Sequence, residues 1–584
     1  AGAGHRYGSE ASIPIERQAA AAKAVHVAPA LSTPADRADP PPTPSPAVGC
    51  TFESRTPIQT VMPSHRQENV PIMRAALLVL TAATVPAVLT AQAPAASARA
   101  VASITPADVA QRVGIIAHDS MGGRNTPSPG LEKTAQYIAA EFQRFGLVPG
   151  GDDGTFIQHY RLANTRLNVA RSGVAPAAGM SWPVGRDAVA SAGATGPGGV
   201  SGPAVVIAGV PAVGDELDSA AVEGAVVFWI EPQRAVGEAA RRVFALRRRL
   251  WETGAAAVVQ VSLMSDDQWQ LRVDRPVRTR LSKPWLEESR APWVQVRDET
   301  AAAALAAHGF DIARARAGEA DRMVVTSLAD LRPTVTLVQE VTDEFFAPNT
   351  VGILEGSDPV LKNEYLVFSA HMDHVGTSAD GSCRPKNGDD ICNGADDDAS
   401  GTVAVVELAE AFALLTLRPK RSIIFLTVSG EEKGLWGSEY FTLHPPVPME
   451  RMVANFNADM VGRNWKDTIV VIGREHSDLG ATLARVVAAH PELHMSAIED
   501  LWPEQDFYGR SDHFNFAKRG VPILFFFNGT HEDYHSATDN PDKIDAEKES
   551  RIAQLMFYLG LDVANAANRP KWNPQSYERI VSGG

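Results

Sequence analysis

Cysteine is scarce, with 3 among 584 residues, and none falls inside the acidic and histidine-bearing motifs described below. Thiolate metal ligation is therefore excluded there, which leaves nitrogen and oxygen donors. Basic charge is also in short supply: Lys+Arg 54 against Asp+Glu 69 leaves a formal net charge of -15 and a pI near 5.5. Non-specific nucleic-acid binding needs a basic footprint and is excluded. The densest basic stretch, RRVFALRRRL at 241–250, reads as the solvated face of one helix. The apolar stretch AALLVLTAATVPAVLTAQA after Met73 and Arg74 is short for a membrane span and is interrupted by Pro86, so no stable span is expected in the mature form.

What is present is a hydrophobic fraction of 45%, enough for two or three domains with sizeable cores. Residues 1–72 are rich in Ala, Pro, Ser and Thr, include a PPPTPSP run, and cannot bury enough apolar surface to fold alone. The stretch from Met73 resembles a secretory signal peptide ending in small residues, so residues 1–98 read as a leader. Cleavage is expected after Ala93 or Ala98; Pro94 is a poor residue just after a cut, which favours Ala98. The mature chain is then secreted or periplasmic. Removing the leader removes Cys50 and leaves Cys383 and Cys392 in one Gly- and Asp-rich loop of a chain bound for an oxidising compartment. A disulfide is the favoured reading, with two free thiols as the alternative.

Residues 99–164 turn amphipathic, and Leu131, Ala135, Ile138, Phe142 and Phe145 recur at helical spacing before Gly146. Gly-, Ala- and Pro-rich stretches and strand-like runs such as AVVIA at 204–208 mark 165–330 as an inserted, mostly β domain. From 331 to 570 apolar strands (364–370, 422–428, 453–458, 467–473, 521–527) alternate with helices near 401–415, 477–490 and 545–566, ahead of a tail at 571–584. Such alternation predicts an α/β fold with a mainly parallel mixed sheet flanked by helices, in which ligands bind beyond the carboxyl ends of the strands.

Five polar segments stand at those ends: SAHMDHVG (369–376), GADDDASG (394–401), SGEEKG (429–434), NADMVG (457–462) and YHSATDN (534–540). Any one has a bland explanation. A histidine after a strand is commonly structural, three aspartates before a helix can be capping charges, and paired glutamates can be a solvated turn. Asp459 is harder to dismiss, because it ends an apolar strand and needs a cation or hydrogen bonds to offset desolvation. An acidic residue near His371, such as Asp373, can accept the second imidazole N–H. Glu431 and Glu432, at an extended strand end, are expected to point to opposite sides, so that one ligates a metal while the other acts as general base. Taken together the segments supply ligands for two divalent ions able to activate a water.

The order HxD, DDDASG, GEE, D and YH resembles the M28 family of di-zinc metallopeptidases, chiefly aminopeptidases, and the likeness runs from about 103 to 566. Region 165–330 is similar to a protease-associated (PA) domain. The resemblance implies a zinc-peptidase sandwich holding two zinc ions, with manganese or cobalt as possible substitutes. It assigns His371, Asp397 and Asp459 to one ion and Asp397, Glu432 and His535 to the other, with Asp397 as the bridge. It makes Asp373 the orienter of His371, Glu431 the general base and Asp398 a supporting residue. Tyr508 and Tyr534 compete to stabilise the oxyanion. Peptides are the implied substrates, the oligomeric state is left open, and the free substrate amine would be received by Glu431 and Asp459. A carboxypeptidase or dipeptidase is the enzymatic alternative. It needs basic groups at the substrate carboxylate, for which Arg510 is a distant source. A non-catalytic receptor-like protein would show substituted ligands, and here none is substituted.

Overall fold

Apolar runs of four to seven residues, too short for helices and bounded by turn residues, become the buried centre of a ten-stranded sheet. A computed structural model describes residues 97–582, apart from Glu216, Arg234, Glu252, Pro276, 287–290 and 319–321. Segment 1–72, the apolar stretch after Met73, the expected cut after Ala93 and Cys50 lie outside the described residues. No helix among the described residues is long and apolar enough to cross a membrane.

Four central strands run parallel in the order Ser422–Val428, Tyr365–His371, Met452–Ala458 and Ile523–Phe526. The long strand Gln339–Leu354 joins antiparallel on one side and carries Ile157–Leu167 beyond it. Thr468–Ile472 joins antiparallel on the other side and carries Ser496–Ile498, parallel to it, at the edge. Helices Pro129–Arg144, Gly401–Ala413, Leu479–Ala489 and Ala546–Asn565 contribute to one core against this sheet, with Phe368, Phe412, Phe425 and Phe456 at its centre. A second apolar core containing Val367, Ile424, Phe525 and Phe527 covers the sheet's opposite side. The expected mixed sheet flanked by helices is therefore present.

Between 165 and 330 a six-stranded sheet forms around four parallel strands, Ala204–Ala208, Val226–Ile230, Ala257–Ser262 and Trp293–Arg297. This region is more helical than its short strands suggest. Helices Glu238–Leu250, Asp266–Val273, Asp298–Ala306 and Ile312–Ala317 alternate with those strands, as parallel pairing requires. The last three are short or alanine-rich and carry little periodic signal. Strand Arg280–Ser282 leaves this region to pair with Ile157–Leu167 at the edge of the main sheet.

Candidate metal centre

Parallel strands all deliver their carboxyl ends to one edge, and the polar segments gather there. His371 is the last residue of its strand, and Asp459 directly follows Met452–Ala458. Asp396, Asp397 and Asp398 come from the turn that leads into helix Gly401–Ala413. His535 comes from the segment after Ile523–Phe526.

The two oxygens of Asp397 face two groups of donors. Oδ1 lies 3.4 Å from His371 Nε2, which is itself 3.5 Å from Asp459 Oδ1. Oδ2 lies 3.2 Å from His535 Nε2, which is 3.1 Å from Glu432 Oε1. These spacings suit donors arranged around a small cation. Asp397 Oδ2, Glu432 Oε1 and His535 Nε2 are buried without a hydrogen-bond partner, a costly state that a bound cation relieves. Asp398 stands 4.0 Å from His371 Nε2. Its carboxylate accepts backbone N–H groups from His371 (3.1 Å), Gly401 (2.8 Å) and Met460 (3.2 Å), so it ties the aspartate turn to two strand ends.

Glu431 and Glu432 are not on an extended strand end. Gly430 and Gly434 adopt φ of 70° and 103°, conformations that favour glycine, and wind the intervening residues into a 3-10 turn. The turn sends Glu432 into the second donor group and leaves Glu431 lining a cavity with His371, Asp397 and Asp459. Asp373 was expected to orient His371. Its carboxylate stands 3.7 Å from His371 Nδ1, while its backbone carbonyl is closer, at 3.2 Å. The carboxylate instead accepts the Thr126 hydroxyl (2.8 Å) and the Glu431 backbone N–H (3.2 Å), so it also fixes the glutamate turn.

Of the two tyrosines, Tyr534 lines the cavity. Tyr508 does not: its ring packs on His476 and His513, and its buried hydroxyl has no hydrogen-bond partner. Burial and the carboxylates of Asp397, Glu432, Asp459 and Glu431 push the Tyr534 phenol well above its usual range, which keeps its O–H a donor at neutral pH. Cavity walls of Met460, Phe507, Phe525 and Phe527 are apolar, and Arg510 also lines the space.

Burial works against every charge here, and neighbours decide which survive. For Asp397 the His374, His371 and His535 imidazoles outweigh burial and hold its carboxyl well below the ordinary range. Glu432 is pulled down to about 2 as the adjacent His374 and His535 imidazoles overcome burial and the repulsion of Asp397. Glu431 moves the other way. Burial, reinforced by repulsion from Glu432, Asp512 and Asp459, exceeds the attraction of His371 and raises its carboxyl well above the usual value.

Sequence reasoning passed over several supports of the site. Arg124, from the MGGRNT segment, is fully buried, and its guanidinium donates to the carbonyls of Met372 (2.8 Å), Asn393 (2.6 Å), Gly394 (2.9 Å) and Ile116 (3.0 Å). It thereby clamps the two loops that carry Asp373 and Asp397. Arg124→Ala strands those carbonyls and is expected to cost about 3–5 kcal/mol in denaturant unfolding; a loss below about 1 kcal/mol would remove the clamp from the account. His374, the second imidazole of HMDHVG, stands in the second donor group.

Cys383 and Cys392 are joined as a disulfide, with Cα atoms 5.4 Å apart. Their loop reaches the His535 segment, where Arg384 donates to the carbonyl of Tyr534 at 2.8 Å. On that segment's other side Asp533 pairs with Lys543 (2.8 Å) and Arg463 (3.2 Å). The segment is held from both directions.

A model of the family described as Peptidase family M28 matches residues 349–560, a span that includes all five proposed ligands. Among curated relatives, a probable zinc metalloprotease of Pyricularia oryzae is 28% identical over 265 residues, 37% of this chain and 50% of that protein. Aminopeptidase YwaD of Bacillus subtilis is 27% identical over 232 residues, 38% of this chain and 46% of that protein. The chain spans about half the length of these relatives. A solved structure described as BSAP, a zinc aminopeptidase from Bacillus subtilis, aligns at 18% identity with a TM-score of 0.40, covering 78% of this chain and 94% of that one.

Proposed function

From the match of residues 349–560 to the model of Peptidase family M28, we propose that the chain is a member of that family and a two-zinc aminopeptidase removing the N-terminal residue of peptides. The observation that carries this reading is Asp397, one carboxylate facing two donor groups beside a cavity that also holds Glu431. Nitrogen and carboxylate oxygen donors fit zinc, and manganese or cobalt as substitutes. Zinc bound there supplies a Lewis acid for the scissile carbonyl and acidifies water.

The residues of the chain do the rest. Glu431 takes a proton from the attacking water and returns it to the leaving amine. Asp373 holds the Glu431 backbone in place for that exchange. Tyr534 donates its O–H to the oxyanion as the carbonyl becomes tetrahedral. Glu431 and Asp459 receive the free amine of the substrate, and the apolar walls around Met460 and Phe527 accept its side chain. A blocked N-terminus forfeits the amine contact.

Arg510 is the observation that favours a second reading, since a guanidinium lining the same cavity suits a substrate carboxylate. A panel of aminoacyl substrates and N-acylated dipeptides separates the two. Aminopeptidase action predicts turnover of the unblocked set, and turnover of N-acylated acidic dipeptides alone selects the carboxypeptidase.

We also propose export to the periplasm or medium, supported by the disulfide at Cys383 and Cys392. Sequencing the N-terminus of protein recovered from those fractions should find a start just after residue 93 or 98, whereas recovery only from cytoplasm contradicts export.

A further inference from the structure

We propose that His374 is a fourth protein ligand of the second donor group, so that the two ions are held unequally. The proposal rests on the two-zinc reading above and adds to it a ligand and a division of labour. Zinc bound to nitrogen and oxygen at about 2.0–2.1 Å in a tetrahedron has ligand-to-ligand edges of about 3.3–3.4 Å. His374 Nδ1 lies 3.1 Å from Glu432 Oε1 and 3.6 Å from Asp397 Oδ2. His535 Nε2 lies 3.1 Å and 3.2 Å from the same two oxygens. His374 therefore stands at donor spacing from the same two oxygens that His535 faces, and donor atoms of His374, Asp397 and Glu432 all lie within 4.8 Å of one another.

Two further observations point the same way. His374 is fully buried, and neither of its ring nitrogens has a hydrogen-bond partner; the three atoms it faces are likewise buried and unpartnered. A buried imidazole without partners is costly unless it coordinates. Its ring is also seated by Gly394, which has a φ of 54°, and a Cβ there would stand 2.5 Å from His374 Cγ. Only glycine leaves room for the ring in this position.

The first group is built differently. His371, Asp397 and Asp459 are three donors, and the nearby Asp398 is already engaged by backbone N–H groups. These three line the cavity, whereas His374, Glu432 and His535 do not. Closed four-ligand sites are structural and open three-ligand sites are catalytic. The His371 group therefore meets substrate, and the His374 group holds a tightly bound ion that fixes Asp397.

The test is zinc release from the two-zinc protein into a chromogenic chelator. The wild-type chain should release one ion at least about 100-fold more slowly than the other. His374→Ala should accelerate the slow phase by about 100-fold. A single phase for both wild-type ions, or a slow phase unchanged in His374→Ala, overturns the proposal while leaving the two-zinc reading intact. Should the alanine variant not fold, the wild-type release curve decides alone. A wild-type chain that holds no zinc overturns both readings.

Discussion

Glu431→Gln is expected to lower kcat by about 10³-fold while both zinc ions stay bound, since general acid–base catalysis contributes roughly 10²–10⁴-fold. Glutamine keeps the size and the turn of the glutamate but cannot accept a proton. The ligand atoms belong to Glu432 and its partners, so the metal content is unaffected. Most of the loss should fall on kcat, and KM should rise as well, because the Glu431 carboxylate also receives the free amine of the substrate. Steady-state kinetics paired with metal analysis checks both halves. Activity within tenfold of wild type would remove Glu431 from the reaction, and loss of metal would make it a ligand.

Asp397→Ala should do more damage, because its one carboxylate serves both groups. Without Asp397 Oδ1 the first group is left with His371 and Asp459, two donors 3.5 Å apart, too few to retain zinc against dialysis. The second group loses the oxygen that His535 and His374 both face. At least one ion should be absent after gel filtration, and activity should fall by more than about 10⁴-fold. Circular dichroism should still show the α/β fold, because the large apolar cores on the two faces of the main sheet do not include Asp397. Asp397→Asn is the sharper comparison: it preserves shape and removes charge, so metal loss there assigns the effect to the carboxylate.

The strands and long helices were readable because burial on both sheet faces enforces continuous apolar runs, and because helices such as Pro129–Arg144 keep one face in the core. The site was readable where ligands sit at or beside strand ends, as His371 and Asp459 do. It was less readable where the chain leaves regular structure. The strand ends at His371, so two-residue alternation says nothing about His374 beyond it. The same lapse misplaced Glu431 and Glu432, whose directions are set by two glycines with positive φ rather than by a pleat. Arg124 gave no signal, since its partners are backbone carbonyls, one from nearby Ile116 and the others from two distant segments at Met372 and at Asn393 and Gly394. Tyr508 and Tyr534 could be separated only once the cavity existed.

The helix at Glu238–Leu250 was anticipated, but the other three helices of the inserted region were missed for a different reason. Helix Asp298–Ala306 is alanine-rich and Ile312–Ala317 is too short to show a period, so their formation depends on the parallel strands they connect. Packing fixed what local propensity left undecided.

The most direct measurement compares the zinc-reconstituted chain on one peptide in two forms, with a free N-terminus and with that amine acetylated. Two-zinc aminopeptidase action with amine recognition at Glu431 and Asp459 predicts release of the first residue from the free form and at least about 100-fold slower turnover of the acetylated form. Equal or faster turnover of the acetylated peptide would contradict it.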